Sequence, residues 1–129
     1  MRRLAVPCAL LLAAAGCSGS KDGGPTRTVT TAAGATVTVS AHEYRFDPNR
    51  VVVQGAGPLR IVLRNEGSVA HDIRVRRDGR DVGGTPSFAP GGSMAARLRL
   101  RPGTYELLCT VGDHAQLGMR GTLTVKSGK

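Results

Sequence analysis

The sequence predicts a small all-β domain, a Greek-key β-sandwich, from three observations. Apolar residues recur at every second position in several short runs, Gly- and Pro-containing turns separate those runs, and no segment carries a helical period. With 129 residues the chain is long enough for one core and too short for two. Gly numbers 18, Trp is absent, and the aromatics are Tyr44, Phe46, Phe88 and Tyr105, so packing falls to Val, Leu, Ile and Ala. Short strands joined by glycine turns suit that composition better than a helix bundle.

The N-terminus reads as a leader. Arg2 and Arg3 precede an apolar run from Leu4 to Gly16, too short to span a bilayer core of ~20 apolar residues but of secretory length. The run ends Ala14-Ala15-Gly16-Cys17, which resembles the lipobox of bacterial lipoproteins, although Ala14 stands where that motif more often has Leu. The resemblance implies that residues 1–16 are removed, that Cys17 receives lipid, and that the protein is held at the extracytoplasmic surface of a bacterial membrane. An ordinary signal peptide or an uncleaved anchor is the plainer alternative. Cleavage there discards Cys8 and takes the formal charge from +9 to about +7, because Arg2 and Arg3 are lost. Cys109 is then the one free thiol in a compartment that usually pairs its cysteines. Metal ligation explains it better than a disulfide to Cys17. The stretch from Ser18 to Ala35, rich in Ser, Gly, Thr and Ala, reads as a flexible tether, leaving residues 36–129 as the folded domain.

From Thr36 onward the strands follow in order. Val37 and Val39 alternate with Thr and Ser; Leu59, Ile61 and Leu63 alternate with Arg60, Val62 and Arg64. Ala96, Leu98 and Leu100 alternate with Arg97, Arg99 and Arg101, the clearest half-buried strand, and Leu123 and Val125 alternate with Thr122, Thr124 and Lys126. Turn signals fall between them at Asp47-Pro48-Asn49, Gly55-Ala56-Gly57-Pro58, Gly83-Gly84, Pro90-Gly91-Gly92 and Pro102-Gly103. The arginines lie on the solvated faces of strands rather than in a basic tail, and no nucleic-acid motif or stacking platform is present.

The same alternation orients the chemistry. His71, Ile73 and Val75 share one face of a strand, with Asp72, Arg74 and Arg76 on the other; Tyr105, Leu107 and Cys109 share the inward face of a later one. His114 and Met119 follow on the loop after Cys109, in the spacing Cys109-x4-His114-x4-Met119. A thiolate, two imidazoles and a thioether are the donor set of blue copper, a trigonal His2Cys site with a long axial Met. Taken singly, His71 reads as a core histidine, Met119 as packing and Cys109 as a small buried hydrophobe. His42 reads as a surface residue and Tyr105 as a core or corner tyrosine.

These segments resemble the cupredoxin family. Glu43-Tyr44-Arg45-Phe46-Asp47-Pro48 looks like its early strand, Asn65-Glu66-Gly67-Ser68-Val69-Ala70-His71-Asp72 its first-histidine segment, and Pro102 to Thr110 its cysteine strand. The resemblance covers Thr36 to Lys126 and implies one type 1 copper held by His71, Cys109, His114 and Met119. It also implies that Asp72 and Thr110, each following a ligand, hydrogen-bond across the two segments and brace the ligand loop. Val111-Gly112-Asp113 departs from the Pro-Gly pair common before the second histidine in relatives, which puts loop rigidity and redox potential in question.

Single-electron transfer is the function this implies, and the alternative is copper binding, delivery or storage without a redox circuit. A structural zinc site and a metal-free interaction module are further alternatives. An enzyme is disfavoured, since no His-x-His pair and no second cysteine near Cys109 is present. Ala115, Leu117 and Gly118 flank His114 as an apolar patch where electrons would enter, and the basic charge favours acidic redox partners to a monomeric protein.

Overall fold

The computed structural model describes residues 24–128, and they form a two-sheet β-sandwich with no helix among them. Ten strands follow in order: β1 (Thr28–Thr31), β2 (Thr36–His42), β3 (Arg45–Asp47), β4 (Arg50–Val53), β5 (Gly57–Asn65), β6 (Arg74–Arg77), β7 (Arg80–Gly84), β8 (Ser93–Leu100), β9 (Gly103–Leu108) and β10 (Arg120–Val125). One sheet has the order β1-β4-β10-β9-β6-β7 and the other β3-β2-β5-β8. The pairs β1/β4, β4/β10 and β2/β5 are parallel, which requires the chain to cross between sheets rather than run in simple hairpins.

The period of two sets what lies between the sheets. Val39, Ala41, Ile61 and Leu63 from one sheet meet Val51, Val75, Leu107 and Leu123 from the other, and all are essentially inaccessible to solvent. Arg60, Arg64, Arg97 and Arg99 take the alternate, solvated positions of β5 and β8. Tyr105 closes the turn before β9: its hydroxyl donates to the Arg101 carbonyl at 2.8 Å and accepts the Arg101 N–H at 3.1 Å. It is a corner tyrosine, as its position suggested.

Three expectations are corrected. The tether does not run through Ala35, because Thr28–Thr31 forms β1 in parallel register with Arg50–Val53. Its Thr/Val alternation supplies a strand, and Val29 packs against the core. The strand expected from His71 begins only at Arg74; His71 instead makes a single bridge to Phe88, and Ile73 bonds Thr85. Glu43–Pro48 is not one strand, since β2 ends at His42 and the chain turns at Glu43-Tyr44 before β3. The expected leader, Cys17 and the first part of the tether lie outside the described residues.

Candidate metal centre

Strand ends gather the site at one rim of the sandwich. β9 delivers Cys109 one residue past its end, β10 begins one residue after Met119, and His71 lies between β5 and β6. Residues 111–118 form a series of turns that carry His114 back over the thiol. The loop is closed by backbone bonds: Cys109 N–H donates to the Met119 carbonyl at 3.1 Å, and Met119 N–H donates to the His114 carbonyl at 3.0 Å. His71, Cys109 and Met119 are fully buried, and His114 is 8% exposed.

The donor atoms converge. His71 Nδ1 lies 3.9 Å and His114 Nδ1 3.6 Å from Cys109 Sγ, and the three donor atoms fall within 4.8 Å of one another. A metal bonded to nitrogen at ~2.0 Å and sulfur at ~2.3 Å in a trigonal plane separates sulfur from each nitrogen by about 3.7 Å. The two nitrogen–sulfur separations bracket that value, and with all three donor atoms within 4.8 Å of one another the residues present fit a single ion. The two imidazole centroids are 5.0 Å apart, and the Tyr44 ring covers His114 at 4.8 Å. Burial pushes the Cys109 thiol above its ordinary pKa, so in the absence of a cation the protonated form is favoured. A bound cation reverses that preference.

Asp72 and Thr110 meet across the two segments. Asp72 Oδ1 accepts the Thr110 amide at 2.7 Å, and Asp72 Oδ2 accepts the Thr110 hydroxyl, joining the His71 segment to the Cys109 segment. His42 lies away from this cluster, at the end of β2, and faces Glu66 at 3.4 Å. Of the residues expected to form an apolar patch, Leu117 is half exposed and Ala115 partly so. Gly118 is buried, because the last turn folds it under Ala115, whose carbonyl its amide reaches at 3.2 Å.

Two residues of the site were not singled out from the sequence. Glu43 Oε1 accepts the Ser68 and Val69 amides at 2.8 and 3.1 Å and lies 3.0 Å from His71 Nε2. The Ser68 amide, with smaller help from His71 and Val69, pulls this carboxyl down to about 2. It is therefore ionised at neutral pH and accepts only, so His71 Nε2 carries the proton and leaves the Nδ1 lone pair, able to accept or to bind a metal, facing Cys109. Gly67 permits the arrangement, since a Cβ there would lie 2.4 Å from Glu43 Oε1 and 2.8 Å from His71 Nε2. Asn65, fully buried, donates to the Val69 and Phe88 carbonyls and accepts the Gly67 amide, shaping the loop that ends at His71. Glu43 gave no signal because its partner is 28 residues away; Asn65 lay in a quoted segment without a role.

The model of the cupredoxin-like domain matches residues 7–125 of this sequence. The chain belongs to the cupredoxin-like family. No curated protein matches the sequence. Among solved structures, auracyanin from the photosynthetic bacterium Roseiflexus castenholzii is 21% identical with a TM-score of 0.64, the match covering 72% of this chain and 98% of that one. Auracyanin A from Chloroflexus aurantiacus, described as a "blue" copper protein, is 18% identical with a TM-score of 0.61, over 71% and 98% of the two chains. A multicopper oxidase is also similar, 20% identical with a TM-score of 0.58, over 71% of this cupredoxin and 42% of the oxidase. At these identities the likeness is one of fold.

Proposed function

We propose that this cupredoxin carries single electrons through one type 1 copper, which His71, Cys109, His114 and Met119 would hold. The observation that carries the reading is the buried Nδ1–Sγ–Nδ1 triangle, whose 3.6 and 3.9 Å separations suit a trigonal ion. Copper there would supply a one-electron couple. The chain's own part is to hold the donors: the closed 109–119 loop, the Asp72–Thr110 link and the Glu43–His71 contact leave the ligands little freedom. A frame that does not rearrange suits both oxidation states. Burial of the three donor residues leaves no open face for a substrate, which supports a carrier over an enzyme. Leu117, half exposed beside the His114 turn, is the surface through which we place electron exchange with a partner.

Extending the proposal to the cell, residues 1–16 are a lipoprotein leader and Cys17 bears the lipid at an extracytoplasmic membrane surface. Support comes from Ala14-Ala15-Gly16-Cys17. Mass spectrometry of the native N-terminal peptide tests it, and an unmodified Cys17 would refute it.

The copper reading is tested by adding Cu(II) to protein beginning at Ser18 and recording absorption and electron paramagnetic resonance. An intense visible band with one copper per chain is expected. A colourless, ordinary tetragonal spectrum overturns it. Rapid copper release to acceptor proteins, without electron exchange, would favour delivery.

A further inference from the structure

The outer faces of β5 and β8 carry an arginine patch with almost no countercharge. Arg60 and Arg97 are directly opposite in the antiparallel register, Arg99 lies two residues along β8, and Arg64 lies four along β5. All four side chains are exposed, and neither strand contains Asp or Glu. Among the described residues Arg64 reaches Glu66 at 3.8 Å, while Arg60, Arg97 and Arg99 make no ion pair. In the other sheet Arg74 pairs with Asp81 and Arg120 with Glu106, and its remaining arginines are spread over β4, β6 and β7, with Asp81 on β7 and Glu106 on β9. Like charges directly opposed across two strands repel, and an anionic surface would relieve that repulsion.

The rest of this face decides the kind of surface. Thr36, Thr38 and Ser40 of β2 register with Arg60, Val62 and Arg64, and the face holds no aromatic residue. Met94, the exposed large apolar residue of β8, registers with the inward Leu63 and so belongs to the other side. Protein interfaces centre on a desolvated apolar or aromatic anchor, which is missing here. A flat array of guanidinium forks instead matches the phosphates of lipid headgroups.

We propose that the outer face of β5 and β8 rests on an anionic phospholipid surface. This builds on the membrane location proposed above, but its test does not depend on that location. Protein beginning at Ser18, which keeps every strand of the described residues and lacks any lipid, is floated with vesicles of phosphatidylcholine alone or with 30% phosphatidylglycerol. Binding to the anionic vesicles only is expected. Each arginine near such a surface is worth about fivefold in partitioning, so R60Q/R97Q/R99Q should bind roughly a hundredfold more weakly. R97Q alone gives the fivefold step should the triple variant fold poorly, and an unchanged copper spectrum and unfolding midpoint certify each variant. The exposed Arg50 and Arg80, off this face, serve as controls. Equal binding to both vesicles overturns the proposal, as does an equal loss with R50Q/R80Q. Retention of an acidic protein by wild type and not by the triple variant, without vesicle binding, would assign the face to a protein partner.

Glu43 carries a separate inference, which deepens the copper reading. One oxygen of this carboxylate collects two amides from the loop ahead of His71 and the His71 ring proton, in a cradle that admits only glycine at position 67. We infer that Glu43 is a positioning residue that fixes the His71 tautomer and biases the site toward its more positive, oxidised state. Nitrogen-15 NMR of the metal-free protein should show a single Nε2–H tautomer in wild type and in E43Q, and a mixture in E43L. In the copper protein, E43Q should raise the reduction potential. An unmixed tautomer in E43L, or an unchanged potential in E43Q, overturns the inference. The metal-free measurement stands even if the copper reading fails.

Discussion

Asp72 and Thr110 are 38 residues apart in sequence, yet one carboxylate holds both the amide and the hydroxyl of the threonine. Each residue follows a proposed ligand, so the pair ties His71 to Cys109 through bonds outside the donor set. Asp72→Ala should weaken copper binding by roughly tenfold to a hundredfold, the usual cost of losing such a brace. Competition with a chelator of known affinity measures it. Asp72→Asn, which still accepts the Thr110 amide, should lose less.

Cys109→Ser should still fold, because the residue is small and its backbone bonds remain. The intense visible absorption should vanish, since the thiolate that supplies it is gone. In metal-free wild type, burial and a raised thiol pKa should make alkylation of Cys109 slow at neutral pH. Mass spectrometry after timed alkylation, native and in urea, gives the ratio.

Glu43 makes stability depend on acid. Its folded-state pKa of about 2 lies below its ordinary value of 4.5, so its contribution is fully present above pH ~4.5 and is lost as pH falls toward 2. Urea midpoints of metal-free wild type and Glu43→Gln should therefore differ most at neutral pH and converge near pH 2. A gap that stayed constant across this range would refute the assignment.

Tyr105→Phe removes the corner hydroxyl and both bonds to Arg101 while leaving the ring in the core. A loss of about 1 kcal/mol in unfolding free energy is expected, with the copper spectrum unchanged. Denaturant titration checks the first and absorption the second.

Leu117→Asp should slow reduction by external donors without altering the spectrum, because Leu117 is exposed and holds no donor atom of the cluster. Stopped-flow rates decide it; wild-type rates would place electron exchange elsewhere.

Much of this was legible in the sequence, for a physical reason. A sheet writes its buried face into every second residue, so Leu59-Ile61-Leu63 and Ala96-Leu98-Leu100 announced β5 and β8 and their solvated arginines. Cys109, His114 and Met119 share one loop, so their spacing alone brought them near each other. Edge structure was less visible. β1 has only Val29 to bury, and four residues of Thr and Val among Gly and Ala look like a linker until β4 offers them a partner. The strand expected at His71 failed because residues 71–73 bond to Thr85 and Phe88, which alternation cannot foresee. Glu43 escaped for the same reason: its role exists only where a turn after β2 meets the loop before β6.

The docking of β1 has a consequence for how far the protein can travel. The Arg27 amide donates to Asn49 Oδ1 at 2.9 Å and its carbonyl accepts the amides of Asn49 and Arg50, so the folded body begins there and not at Thr36. With Cys17 at the bilayer, as proposed, the leash is about ten residues, at most ~35 Å when taut, against ~60 Å for one running to Ala35. The volume that the rim holding His71, Cys109 and His114 could sweep from such an anchor would shrink to about a fifth. On so short a leash the proposed carrier would serve partners embedded beside it, and its working radius would be set by four residues of β-strand at the edge of a sheet.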